Sequence, residues 1–162
     1  MNTTQLSTRS LVLKLLTRDE TLAMIEAMSP EDRAQVSADW LIALHASRSI
    51  DPWRHGFDIV NRKTGDKVGN CCFKGPPVEG VVEIAYAIAP EHEGNGYATE
   101  AAEALTNFAF AQGVATVRAH TLPTPNASTR VLTKCAFLHV GDVVDPEDGP
   151  VWRWERRREQ AT

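Results

Sequence analysis

Gly94 and Gly96 lie between an apolar-rich run and an alanine-rich one, and that placement is the most chemically suggestive feature of the chain. Glu83-Ile84-Ala85-Tyr86-Ala87-Ile88-Ala89 reads as a strand that stops at Pro90. Glu91-His92-Glu93-Gly94-Asn95-Gly96 reads as a loop, and Tyr97-Ala98-Thr99-Glu100-Ala101-Ala102 opens a helix. Glycine lets backbone approach a ligand with no Cβ in the way. The first turn of a helix leaves N–H groups unpaired at the positive end of its dipole, so the loop suits phosphate oxygens. Two familiar phosphate loops do not fit. A P-loop needs Gly-Lys-Ser/Thr, but Tyr97 and Ala98 follow Gly96. A dinucleotide fingerprint needs a third glycine or alanine where Thr99 stands.

The elements that must position this loop read in order along the chain. Leu11–Leu15 is a first strand, and Thr17-Arg18-Asp19-Glu20 is a capping box opening a helix with Leu22, Ile25 and Met28 on one face. Ser29-Pro30-Glu31-Asp32 ends it and starts a second helix with Val36, Trp40, Ala43 and Leu44 on its apolar side. Phe57–Asn61 and Lys67–Phe73 are strands joined by a turn, and Val81–Ala89 is the next strand. The helix from Gly96 to Gln112 carries Ala98, Ala101, Ala102, Leu105, Phe108 and Ala109 as one stripe. Thr116–Thr121 is a strand, Ala127–Lys134 a short helix, and Phe137–Val144 with Val151–Glu155 a closing hairpin. With no repeat or linker, residues 1–162 read as one domain, its core about 9–157.

Bulk properties narrow the functions. A chain of 162 residues, 43% hydrophobic, suffices for one sizeable core. The net charge of -4 argues against a nucleic-acid partner, which needs a basic face. No apolar stretch approaches the roughly 20 residues of a membrane span, so no membrane association is expected. Cys71, Cys72 and Cys135 form neither a disulfide framework nor a C-x-x-C site, which points to a reducing cytoplasm. The histidines show no ligand spacing, and no metal is expected.

The string from Glu91 to Gly96 resembles the Q/R-x-x-G-x-G/A pyrophosphate loop of the GNAT N-acetyltransferases, with Glu91 in the first place. The longer string from Ala89 to Ala101 resembles the ribosomal-protein N-terminal acetyltransferase branch of that superfamily. The element order is also similar. The resemblance implies an α/β (α+β) fold: a mixed, mostly antiparallel sheet of about seven strands with four helices. A splayed parallel pair, Val81–Ala89 beside Val117–Thr121, would bind acetyl-CoA as cosubstrate, the backbone of Ala87–Ala89 lacking a strand partner. The implied cofactor contacts are Ile88, Ala89, Glu93, Gly94, Asn95, Gly96, Tyr97, Ala98 and Thr99, with Asn126 from a second signature. That signature, Asn126-Ala127-Ser128-Thr129-Arg130-Val131-Leu132-Thr133-Lys134-Cys135-Ala136-Phe137, resembles the family's N-x-A-S-x-R-V-L-E-K-x-G-F. Aligned on Ala127-Ser128, it departs in holding Pro125 at the asparagine position, with Asn126 shifted by one, and Ala136 at the glycine. The tyrosine that many members use as general acid falls at Leu132, and Ser128 matches the serine that takes this part in the ribosomal-protein branch.

Acetyl transfer to an amine needs the amine unprotonated. An α-amino group near pKa 8 is partly neutral at pH 7, whereas lysine near 10.4 costs about 1.4 kcal/mol per unit to deprotonate. Glu83, on the strand feeding the loop, is the candidate base, acting directly or through water. Its bland alternative is a strand glutamate paired with a neighbour; that of Asn126 or Ser128 is a helix cap. Trp53, His55 and Phe57 either border the acceptor or belong to the core, and Arg156-Arg157-Arg158 reads as a solvated tail. The expectation is a cytoplasmic N-acetyltransferase, monomer or homodimer, acting on a primary amine of a protein or peptide N-terminus or of a small molecule. A catalytically degenerate CoA-binding sensor or interaction module is the alternative.

Overall fold

Strict alternation along Leu11-Val12-Leu13-Lys14-Leu15 buries the three leucines and turns Lys14 outward, as a strand with one covered face requires. The computed structural model describes residues 5–34, 36–46, 51–146 and 149–158. Its elements are β1 Gln5–Ser7, β2 Leu11–Leu15, α1 Arg18–Glu26, α2 Pro30–Ala34, α3 Ala38–Ala46, β3 Phe57–Asn61, β4 Lys67–Phe73 and β5 Val81–Ile88. They continue as α4 Tyr97–Ala111, β6 Thr116–Thr121, α5 Ala127–Lys134, β7 Leu138–Asp145 and β8 Gly149–Arg157. A single 3-10 turn, Pro90–His92, precedes α4.

The sheet runs β1-β2-β3-β4-β5-β6-β8-β7, antiparallel throughout except for β5 beside β6. Helix α4 is the crossover that makes a parallel pair possible. The architecture is the expected one, with an extra edge strand. β1 escaped sequence reading because three residues, Gln5-Leu6-Ser7, carry too little alternation to register. Among the described residues there are five α-helices. The additional helix arises because the expected second helix breaks before Ser37, whose carbonyl accepts Leu41 N–H at 3.1 Å and restarts the chain as α3. The side chains of Trp40, Ala43 and Leu44, expected on its apolar side, lie outside the described residues.

The Thr17–Glu20 capping box forms as expected, Glu20 N–H donating to Thr17 Oγ1 at 3.1 Å and Thr17 N–H to Glu20 Oε1 at 2.9 Å. The inward face of α1 is centred on Thr21 and Ile25, not on Leu22, Ile25 and Met28. The buried Thr21 hydroxyl donates to Thr17 O and accepts Gly56 N–H, so a polar residue sits inward without an unpaired group.

The core lies between one face of the sheet and α4 with α5. Leu11, Leu13, Phe57, Phe73 and Ile84 meet Ala101, Leu105 and Leu132 there. Trp53 packs edge-on to Phe73 at 4.8 Å and against Phe108 at 5.6 Å, and His55 is 1% exposed, so this segment belongs to the core. Arg156 is no solvated tail residue: it clamps β8 to α4 through Glu103 at 2.8 Å and caps Cys135 O at 3.1 Å.

Candidate active site

β5 pairs with β6 at Val81–Thr116, Val82–Val117 and Glu83–Arg118, and there the pairing stops. On its other edge β5 stays bonded to β4 as far as Ile88. Lys74 N–H donates to Glu83 O and Ala89 N–H to Val68 O, each at 2.8 Å. The odd-numbered backbone groups of β5 therefore serve β4, and by alternation those of Ile84, Tyr86 and Ile88 aim into the gap. The splay thus opens earlier than the sequence suggested, directly after Glu83. Ala89 does not contribute to the gap as expected, because Val68 O takes its N–H and its carbonyl accepts His92 N–H at 2.9 Å. Ile88 N–H does face the opening.

The far end of the gap is the glycine loop. Gly94 and Gly96 adopt φ of +83° and +80°, a left-handed conformation that glycine takes without strain, and a Cβ built on either would enter open space. Asn95 Nδ2 donates to His92 O at 3.0 Å and holds the loop's curl, while Glu93, Gly94 and Asn95 are exposed. Gly96 is the N-cap of α4 and supplies no side chain to cap it, so the first-turn amides of Tyr97, Ala98 and Thr99 have no intrahelical partner. This helix start is pinned from outside. Tyr97 Oη accepts from Asn61 Nδ2 at 3.0 Å, and Glu100 takes the Thr8 hydroxyl at 2.6 Å and the Ser10 N–H at 2.9 Å. The hydrogen bonds from Thr8 and Ser10 outweigh burial and hold the Glu100 carboxyl below its ordinary pKa.

Across the gap stands the N-terminus of α5. Asn126 is its cap: Oδ1 accepts Thr129 N–H at 2.9 Å, and Asn126 N–H donates in return to Thr129 Oγ1 at 2.9 Å. Ser128 is not the cap. Its Oγ lies 3.1 Å from Tyr86 Oη, a contact between β5 and α5 that links the two lips of the splay. Burial pushes the Tyr86 phenol up to about 12, so it stays a protonated donor. Leu132 is fully buried in the core. Ala136, at the family's glycine position, is held at φ +65°.

Glu83 is half-buried on the opposite face of β5. Its Oε2 is 2.9 Å from His120 Nδ1 on β6 and 3.5 Å from Lys74 Nζ. Burial alone would raise its pKa. The His120 hydrogen bond and the Lys74 charge more than reverse this and leave the carboxyl below its ordinary value. His120 Nε2 accepts from Arg153 Nε on β8 at 3.1 Å, which fixes the proton on Nδ1, facing Glu83. Beside them Arg118 grips Glu155 Oε2 at 2.6 and 2.8 Å.

Tyr86, His120 and Arg153 were not singled out from sequence. Period-2 alternation in Thr116-Val117-Arg118-Ala119-His120-Thr121 could have flagged His120 as the polar side of a strand flanking the splay. Burial raises the Cys72 and Cys135 thiols to about 11 and lifts Cys71 well above its ordinary value, which disfavours the nucleophilic thiolate at each. Among the described residues no group of three or more His, Cys, Asp or Glu side chains is placed to hold a metal ion, and no helix is long and apolar enough to cross a membrane.

The site is thus a mixed sheet that splays after three paired residues, with a glycine loop leading a helix at the end of the opening. The chain belongs to the GNAT acetyltransferase family, whose domain model matches residues 7–138. It is 32% identical over 100 residues to the uncharacterized protein YkkB of Bacillus subtilis (strain 168), covering 60% of this chain and 58% of that one. The chain thus spans under two thirds of that relative. A GNAT-family acetyltransferase from Bacillus anthracis superposes with TM-score 0.70 at 18% identity, covering 94% and 98% of the two chains. The ribosomal L7/L12 alpha-N-protein acetyltransferase RimL in complex with coenzyme A does so with TM-score 0.68 at 16%, covering 94% and 97%. At such identities these likenesses establish the fold.

Proposed function

We propose that this chain transfers an acetyl group from acetyl-CoA to a primary amine by direct attack. The observation that carries the reading is the gap after Glu83, with the Ile84, Tyr86 and Ile88 backbone aimed into it and the Gly94–Gly96 loop at its end. An extended ligand with its own amides can add there like a short strand. The unpartnered amides of Tyr97, Ala98 and Thr99 suit its phosphates, and the space over both glycines leaves room for them. Acetyl-CoA supplies an activated thioester whose thiol, like cysteine near pKa 8.5, leaves readily.

The chain's own residues divide the remaining work. Ile88 N–H, which faces the gap, donates to the thioester oxygen in this reading. Glu83 takes the amine proton directly or through water, its charge favouring the positive nitrogen that forms during attack. Tyr86 and Ser128 form a hydroxyl pair beside the gap that provides a proton to the departing sulfur, the part Leu132 cannot play. The acceptor is a peptide N-terminus or a small-molecule amine.

The test is a thermal shift of the purified chain with CoA against ATP and NAD, followed by mass-spectrometric detection of acetylated product across an amine panel. CoA-specific stabilisation with product formation is expected. Stabilisation by CoA with no product on any amine would identify a CoA-binding sensor module instead, and no response to CoA would overturn both readings.

A further inference from the structure

The sheet face that carries Glu83 also carries Lys74, Arg118, His120, Arg153 and Glu155, and its charges do not cancel. Arg118 is committed to Glu155 and Lys74 lies against Glu83. Both ring nitrogens of His120 are engaged, Nδ1 with Glu83 and Nε2 with Arg153. Arg157 lies at the far end of β8 opposite Thr116, and the cation beside the Glu83–His120 pair is Arg153. Its Nε is bonded to His120, and among the described residues its terminal nitrogens have no carboxylate partner.

Position makes this unpaired guanidinium informative. Across the ladder Arg153 pairs with His120 on β6 and with Gly141 on β7. Gly141 offers no side chain, and a Cβ built there would meet nothing within 4 Å, so the ground beside Arg153 is open. The Nε bond orients the planar fork, leaving its two terminal amines to receive a ligand. Such a fork matches a carboxylate bidentately, and ordering it beforehand reduces the entropy lost on binding. One imidazole separates it from Glu83.

We infer that the acceptor is an amine that also carries a carboxylate, the amine presented to Glu83 and the carboxylate held by the terminal nitrogens of Arg153. This deepens the acetyltransferase reading and rests on Glu83 facing the acceptor. A polyamine would bring a second cation against Arg153 and is disfavoured. The carboxylate belongs either to a free amino acid or to an acidic residue next to a peptide N-terminus.

The test compares matched acceptors: glycine, β-alanine and 4-aminobutyrate against their amides, and Ala-Asp-initiated peptides against Ala-Asn. Loss of one charge-assisted contact corresponds to about tenfold or more in kcat/KM, and the carboxylate member of the favoured pair should lead by that factor. Arg153→Gln should erase the preference by raising KM for the carboxylate member, and Arg153→Lys should restore part of it. Equal use of both members by the wild-type chain overturns the inference. So does an Arg153→Gln loss of kcat equal on both members, which would make Arg153 only a support for His120 and Glu83. Calorimetric binding of the N-acetylated carboxylates against the N-acetylated amides reads the same contact without turnover. Carboxylate preference there with no acetyl transfer would sink the enzymatic reading and keep the anion site; no preference would sink the anion site alone.

Discussion

The Tyr86 hydroxyl sits 3.1 Å from Ser128 Oγ, joining β5 to the first turn of α5 at the open end of the sheet. Ser128 has no capping duty, because Asn126 fills it, so the two residues separate cleanly by experiment. On the proposed role, in which the hydroxyls act as the thiolate forms, Ser128→Ala and Tyr86→Phe should each lower kcat by about tenfold while leaving KM for acetyl-CoA nearly unchanged. Their double variant should lose little more than either alone if they act as a unit. Asn126→Ala should instead cost about 1 kcal/mol of stability, measured by urea denaturation, with kcat retained. Full kcat in Ser128→Ala would remove the pair from the mechanism.

Glu83→Gln should lower kcat by roughly a hundredfold, within the span of a positioned acid–base group. The direction of its pKa shift bears on which part of the pH profile this proposed base governs. With its folded pKa below the ordinary carboxylate value, Glu83 stays ionised through the neutral range. The acidic limb of kcat/KM above about pH 5 then follows the acceptor amine and should keep its midpoint in Glu83→Gln. The same depressed pKa gives a stability sign. The contribution of ionised Glu83 is present above its unfolded pKa of about 4.3 and is lost as pH falls through the lower folded value. Acid titration of stability should therefore be steeper below about pH 4.3 in the wild type than in Glu83→Gln. A shifted acidic limb in the variant would show that Glu83 is the titrating group after all.

Gly96→Val should abolish CoA binding. A β-branched residue at φ +80° is strained, and its side chain would fill the space over the α4 amides. Calorimetry on folded variant checks this, and unchanged affinity would move the phosphate site elsewhere.

Gly69 faces the last pair of β5, and a Cβ there would fall 2.2 Å from Ala87 O and 3.0 Å from Ile88 Cα. Gly69→Ala must push β5 aside at the point where Ile88 N–H meets the gap. A stability loss of about 1–3 kcal/mol together with weakened CoA binding is expected, read by denaturation and calorimetry. A variant matching wild type in both would show that β4 and β5 can separate without cost.

Ala136→Gly should stabilise the chain. An alanine at φ +65° carries a left-handed penalty of about 1 kcal/mol that glycine avoids, partly offset by glycine's freedom in the unfolded state. Denaturation midpoints of the two proteins decide it, and a less stable glycine variant would show that glycine's freedom in the unfolded state outweighs the strain.

What the sequence determined by itself was local. The capping box at Thr17–Glu20, the strand-to-loop transition at Pro90 and the glycine loop are written in neighbouring residues whose backbone preferences do not depend on the rest of the chain. The shifted Asn126 was visible too, but its role as cap was a matter of hydrogen-bond geometry at Thr129. The tertiary structure decided what lies across the sheet. The bond from His120 to Glu83 spans 37 positions and that from Tyr86 to Ser128 spans 42, and both depend on strand order and register. Arg153 reaches His120 only because β8, not β7, lies beside β6. The place where β5 and β6 part is set by the balance of pairing on the two edges of β5, a property of the folded sheet that no single segment encodes.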